Sequence, residues 1–384
     1  MTAELTGAES SAVPRAPEHP RVPDLVTVEA RLTERGIPFR RLSVGADASI
    51  VVSSYGARVY GPFFGAGASE SWLPEAFADA DAFAALHDGG AWNVGGDRVW
   101  IGPEIEYMIP DRDRYWETYT MPRSLDPGEH VLFGDDGEPT MHRHARLAAH
   151  ASGGAHASFD MTIRVRATPH PLRQLTDASA AGVEFAGYAT EITLSQLAAA
   201  PLPAESWMLL QVIAGGTALV AGAPGMRVTD YYEPVGALLR DAPGGSAVQA
   251  TGADRFKIGF AAAHVSGRLG YLRDVGDGRA VLFIRSGPVH PGLDYAEEPD
   301  ARRGHRGDAL HIYNDDGGLG GFAEMEARGT PVAAVRTADG TGRPVCDRFS
   351  SWWFRGPRAA VHDIARQLVH VDPDAVRPPA VVAS

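Results

Sequence analysis

Between residues 49 and 329, short runs of Val, Ile, Phe and Tyr are interrupted by Gly and Pro, of which the whole chain holds 44 and 28. Long helices do not tolerate such punctuation, because Pro removes a backbone donor and Gly adds conformational freedom. Short strands joined by tight turns need it. Candidate strands are "SIVVSSYGARVYGPFF" (49–64), "DRVWIGPE" (97–104), "SFDMTIRVRAT" (158–168), "GVEFAGYATEITL" (182–194), "SWMLLQVIA" (206–214), "RFKIGFAAA" (255–263), "GRAVLFIRS" (278–286), "DALHIYND" (308–315) and "GFAEMEARG" (321–329). The period-two alternation of 158–168 predicts a sheet with one wet face.

So many strands must manage their edges in a barrel, a propeller or stacked sheets. No blade-length repeat is present, which disfavours the propeller, and for an all-β, mainly antiparallel chain two large twisted sheets packed face to face are the simplest answer. Helical spacing occurs near the two ends. Residues 22–36 offer Asp24 as N-cap and Gly36 as a stop, and 357–369 carry apolar residues at helical intervals. One domain over 24–384 is expected. Residues 1–23, small, polar and rich in Pro, are expected to be disordered.

A net charge of −13 argues against nucleic acid and anionic lipid, both of which need a positive footprint. No apolar run reaches the ~18 residues of a membrane helix, and the first residues lack a signal peptide's basic start and apolar stretch. A cytoplasmic protein with a small polar ligand is the expectation. Cys346 is the only cysteine, which excludes an intramolecular disulfide and a thiolate cluster. The chain also lacks a Gly-x-Ser-x-Gly elbow, a phosphate-binding loop and a dinucleotide fingerprint, so no cofactor is expected.

Chemistry concentrates in "HIYNDDGGLGGFAEMEARG" (311–329). In a strand, Glu324 and Glu326 share a face with Phe322, while Ala323 and Met325 point the other way. That row suits a sugar, whose C–H face packs on an aromatic ring and whose hydroxyls donate to carboxylates. It also suits a solvated face. One glutamate acting as general base would need partial burial to lift its pKa. Alternation cannot separate the two, and Glu324 is the nearer to the turn. Tyr313, Asn314 and Asp315 read either as ligand contacts or as ordinary turn residues before the glycines.

Arg98, Trp100 and Glu104 alternate along 97–104, a combination that fits a polar cleft or an edge-strand ion pair. Lys257, between Phe256 and Ile258, is either the wet side of a strand or a paired charge lining a cavity, the wet side being the simpler reading. His142 and His144 form a His-x-His pair that could begin a metal site, whose third ligand, such as Glu104, His170 or Glu184, would have to come from elsewhere in the chain. His144, His170 and His264 are candidate general acids.

Three stretches together resemble the aldose 1-epimerases of the galactose mutarotase-like superfamily, in particular its bacterial branch. They are "SSYGARVYGPFF" (53–64), "GGDRVWIGPEIEY" (95–107) and the 311–329 segment. The resemblance implies a β-supersandwich with a carbohydrate site, an arginine in 95–107 lining the sugar, and a catalytic glutamate on a late strand. The family's His-x-Tyr-Phe-Asn-type stretch, which carries the acid, is absent, and His144 could substitute, with His264 and His170 as competitors that position does not separate.

The sequence therefore predicts an enzyme acting on a sugar, glycoside or sugar derivative by acid/base chemistry, an epimerase, mutarotase or lyase. Glu324, Glu326 and His144 would carry the reaction, and Arg98, Trp100, Glu104, Lys257, Tyr313, Asn314 and Asp315 the binding. The alternatives are a non-catalytic carbohydrate-binding protein of the same fold and a metal-dependent enzyme using His142 and His144.

Overall fold

The computed structural model describes residues 22–172, 182–197, 202–223, 225–295, 306–332 and 343–376. The expected disorder of 1–23 falls almost wholly outside them. Two large sheets account for the architecture, and all their strand pairings are antiparallel. In spatial order the nine-stranded sheet runs Phe39–Gly45, Ala48–Ser53, Arg58–Phe64, Asp97–Gly102, Glu205–Ile213, Phe322–Arg328, Asp308–Asn314, Phe256–Ala261 and Val228–Asp230. Strands far apart in sequence thus meet at its centre.

The other sheet has ten strands, including Thr140–Ala149, Ala155–Ala167, Glu184–Gln196, Arg279–Ser286 and Val345–Pro357. Its partner's inward residues are the apolar half of each alternation: Val99 and Ile101, Met208 and Leu210, Ala323 and Met325, Leu310 and Ile312. They join Phe159, Met161, Ile163, Phe283, Phe349 and Trp353 of the ten-stranded sheet in one continuous core. Burial of such side chains, at about 25 cal/mol per Å² of apolar surface, holds the sheets together. A polar tie crosses that core. Asp97 accepts from Arg285 at 2.5 Å and from Tyr188 at 2.9 Å.

A helix covers part of each outer face. Leu25–Glu34 starts where Asp24 accepts from the Thr27 N–H, and its Leu25, Val28 and Leu32 pack with Tyr60, Phe63, Phe77 and Phe83. Phe83 belongs to a second helix, Ala80–Asp88, which the strand-dominated pattern did not predict. At the far end, Arg358–Leu368 buries Val361, Ile364, Ala365 and Leu368 against Leu219, Leu282 and Phe354 of the ten-stranded sheet. No described helix is long and apolar enough to cross a membrane.

Candidate active site

The outward half of the same alternation builds the site. On the nine-stranded sheet the register sets Arg98 beside Leu209 and Leu209 beside Glu326, Trp100 beside Trp207, Tyr313 beside Glu324, and Lys257 beside Tyr313. Because side chains of paired residues fall on one face, these residues converge from five strands. All of them but Leu209 line a cavity of about 340 Å³.

One wall is aromatic. Trp92, Trp100 and Trp207 form an edge-to-face row, with centroids 5.8 and 5.4 Å apart. Tyr232 meets Tyr313 edge to face at 6.3 Å, and Tyr313 and Phe322 are tilted against each other at 6.1 Å. Tyr119 and Leu319 also face the cavity.

Charges meet between these walls. Arg98 donates to Glu324 Oε1 at 2.6 Å and lies 4.3 Å from the Trp100 ring centroid. Lys257 donates to Glu104 Oε2 at 2.7 Å and sits 3.7 Å from Glu326 Oε2. Glu326 also accepts from Trp207 Nε1 at 2.9 Å. Lys257 is only 2% exposed. It is therefore a paired, buried cation and not the wet side of a strand, since the Glu104 and Glu326 carboxylates offset the cost of burying it.

The two glutamates that strand alternation leaves equivalent have different surroundings. Glu324 retains 7% exposure against 1% for Glu326. Burial pushes the Glu326 carboxyl up to about 7, with the Glu324 charge adding to the rise, while Lys257 and Arg328 oppose it. A carboxyl poised there can exchange a proton near neutral pH.

A layer beneath fixes the aromatic wall. Trp100 Nε1 donates to Asp126 Oδ2 at 2.7 Å, and Arg58 donates to the same oxygen at 2.7 Å. At Gly102, at the end of the strand that carries Arg98 and Trp100, a Cβ would lie 2.0 Å from the Arg328 guanidinium, which would have to move. That guanidinium lies 3.7 Å from the Trp207 ring centroid.

The remaining expected residues divide. Glu104 reaches the cavity from a short helix, Glu104–Tyr107, because the strand ends at Gly102. Asp315 borders the cavity, and its Oδ2 accepts from the Gly317, Leu319 and Gly321 N–H groups at 3.0, 2.9 and 2.8 Å, so it also shapes the turn. Asn314 does not line it. One step out of phase with Tyr313, it braces the 251–254 turn, accepting from Gly252 N at 3.1 Å and donating to Thr251 Oγ1 at 3.3 Å.

His144 lies elsewhere. It stands on the ten-stranded sheet with its ring 54% exposed and Nδ1 at 3.1 Å from Asp160, and His142 Nε2 is 4.0 Å from the same carboxylate. Their strand belongs to the other sheet, and neither histidine is among the residues that line the cavity. Among the described residues no group of three or more His, Cys, Asp or Glu side chains could hold a metal ion.

Behind Glu326 the structure places His311, fully buried, with Nδ1 4.0 Å from Glu326 Oε2. Trp92, Trp207, Tyr119, Tyr232 and Arg255 were also unforeseen. Two of them carried a readable signal. His311 shares its face with Tyr313, and Trp207 alternates with Leu209 and Gln211. The loop residues Trp92 and Tyr119 carried none.

Compared with known proteins, the sequence matches no family model and no curated protein. The structure is similar to a candidate aldose 1-epimerase of Escherichia coli K12, with 13% identity, TM-score 0.41 and coverage of 83% of this chain and 99% of that one. It is likewise similar to the aldose epimerase homologue of C. elegans, at 10% identity, TM-score 0.39 and coverage of 83% and 98%. A galactose mutarotase-like protein from Lactobacillus casei gives 11% identity, TM-score 0.34 and coverage of 83% and 99%.

Proposed function

We propose that the chain binds a sugar or sugar derivative in this cavity and moves a proton on it, as an epimerase or mutarotase does. The observation that carries the reading is Glu326: a buried carboxyl lifted to about 7 on the floor of an aromatic-walled cavity. Flat rings cover the C–H face of a pyranose, and carboxylates and cations orient its hydroxyls. In the ring-opening form of the reaction, Glu326 takes the proton of the anomeric hydroxyl as the ring C–O bond breaks. Lys257 Nζ gives a proton to the departing ring oxygen. Closure on the other face of the carbonyl returns both protons, so the protein ends as it began.

The test is anomer exchange followed by NMR over a panel of aldoses, with wild type and Glu326→Gln. Exchange in the wild type and its loss in the variant are expected. If no sugar in the panel exchanges faster than in buffer, the catalytic reading fails.

One observation favours a binding protein instead. Glu324 and Glu104 already hold cations, at 2.6 and 2.7 Å. Such a protein would bind sugars from the same panel by calorimetry without accelerating exchange.

A further inference from the structure

Behind the cavity floor a line of polar groups leads away from Glu326. Its Oε2 lies 4.0 Å from His311 Nδ1. His311 Nε2 lies 3.1 Å from the Tyr231 hydroxyl, which donates to Asp308 Oδ2 at 3.0 Å. The Tyr231 hydroxyl has one proton, and an ionised Asp308 takes it. Where its oxygen accepts from His311, the imidazole is the Nε2–H tautomer. His311 Nδ1 is left with a bare lone pair, buried and without a hydrogen-bond partner, on the side facing Glu326.

Such an acceptor is costly to bury unless a donor faces it. The group placed to supply one is the Glu326 carboxyl in its protonated form. The 4.0 Å gap is longer than a hydrogen bond, as such contacts often are before ligand closes a site. The surroundings keep His311 neutral: burial lowers its pKa well below the usual range, and the Arg328 and Lys257 charges lower it further. A neutral imidazole can accept at one nitrogen while it donates at the other.

The sheet also makes room for this line. Gly259 is paired with His311, and a Cβ there would lie 2.3 Å from Asp308 Oδ2 and 2.7 Å from the Tyr231 ring. A side chain there would force the Asp308 carboxylate or the Tyr231 ring to shift.

We infer that His311, Tyr231 and Asp308 form a proton relay that serves Glu326 from behind. Its proposed role in turnover rests on the reading of Glu326 as the catalytic base. The proton on Glu326 passes to His311 Nδ1, the Nε2 proton passes to the Tyr231 oxygen, and the tyrosine proton passes to Asp308. Glu326 ends ionised, Asp308 ends protonated, and His311 ends as the other neutral tautomer. The reverse passage restores the starting state, so no net proton or electron is gained. His311, Tyr231 and Asp308 are positioning residues that need not touch the sugar.

The groups that face His311 are Glu326, Tyr231, Arg328 and Lys257, with Asp308 behind the tyrosine. Of these, Glu326 is the one the relay requires to change protonation near neutral pH. NMR of the full chain with 15N-labelled histidine, titrated from acid to alkaline pH, reads this without substrate. The expected result is an Nε2–H tautomer whose Nδ1 resonance shifts as Glu326 gains its proton, a response that disappears in Glu326→Gln. An Nδ1–H tautomer, or an Nδ1 resonance indifferent to pH in the wild type, overturns the relay.

Tyr231→Phe adds a second readout, because it removes the acceptor of the Nε2 proton. On an aldose that the wild type turns over, it should lower kcat on the order of 10²-fold, the lower end of what positioned proton transfer contributes, with KM unchanged. A Tyr231→Phe protein with wild-type kcat and pH profile also overturns the relay. Failure of every sugar in the panel would defeat the epimerase reading alone, since the histidine titration is read without sugar.

Discussion

Glu326 and Glu324 differ by one turn of the pleat, yet they should behave differently when changed. Glu326→Gln removes the proton acceptor and should cost on the order of 10²- to 10⁴-fold in kcat. Glu324→Gln weakens the hold on Arg98 and should act mainly on KM, as loss of a positioning contact does. Steady-state kinetics on an exchanging aldose separate the two effects. The base works when ionised, so kcat should rise with pH through about 7, where burial places the Glu326 carboxyl. Stability follows the opposite slope. The folded value lies above the unfolded one, so the contribution of Glu326 is complete at acid pH and is lost as pH rises toward about 7. Thermal melts at pH 5 and pH 8 should therefore show Glu326→Gln gaining on the wild type at the alkaline end. A constant difference between the two melts would contradict the raised pKa.

Single strands were the legible part of the site, and their neighbours were not. Period-two alternation in 321–329 separates the Phe322, Glu324, Glu326 set from Ala323 and Met325, and the structure puts the first set on the cavity and the second in the core. The same rule would have moved Asn314 off the face of Tyr313. Pairing is a different matter. Nothing in 255–263 announces that its neighbour is Asp308–Asn314, or that Glu104 and Glu326 will meet Lys257, so a wet lysine was the natural expectation. The His142, His144 pair misled for the same reason, since a spacing says which residues share a face and not which sheet carries it.

Asp126 is a further element that only the fold reveals. It comes from a loop, is 2% exposed, and joins Arg58 to Trp100. Asp126→Ala would leave the buried Arg58 guanidinium with the Trp92 carbonyl but without its carboxylate, and should cost about 3–5 kcal/mol. Denaturant unfolding measures that loss. Asp126→Asn, which keeps an acceptor for Trp100, should retain more sugar affinity than the alanine variant.

For the whole molecule, many short strands with Gly and Pro between them led to two stacked sheets, because edges must be managed whatever the order of pairing. Strand order was not legible, since it depends on contacts between segments far apart in sequence. The resulting layers put the cavity and the C-terminal helix on opposite faces. The cavity opens on the nine-stranded sheet, and the helix Arg358–Leu368 packs on the outer face of the ten-stranded one. Ile364→Ala empties part of that helix interface and should cost about 2–5 kcal/mol, with sugar affinity unchanged. Trp207→Phe keeps most of an aromatic ring but removes the donor to Glu326 at 2.9 Å. Losing a hydrogen bond to the ionised form raises a carboxyl's pKa, so this variant should shift the rise of kcat to higher pH with a smaller loss of stability than Ile364→Ala. Distant sites act additively, so the double variant should show both effects at their single-variant size, within about 0.5 kcal/mol. A loss of affinity in Ile364→Ala at a temperature where it remains folded would mean that the far helix helps to set the shape of the cavity, and that the two layers do not act independently.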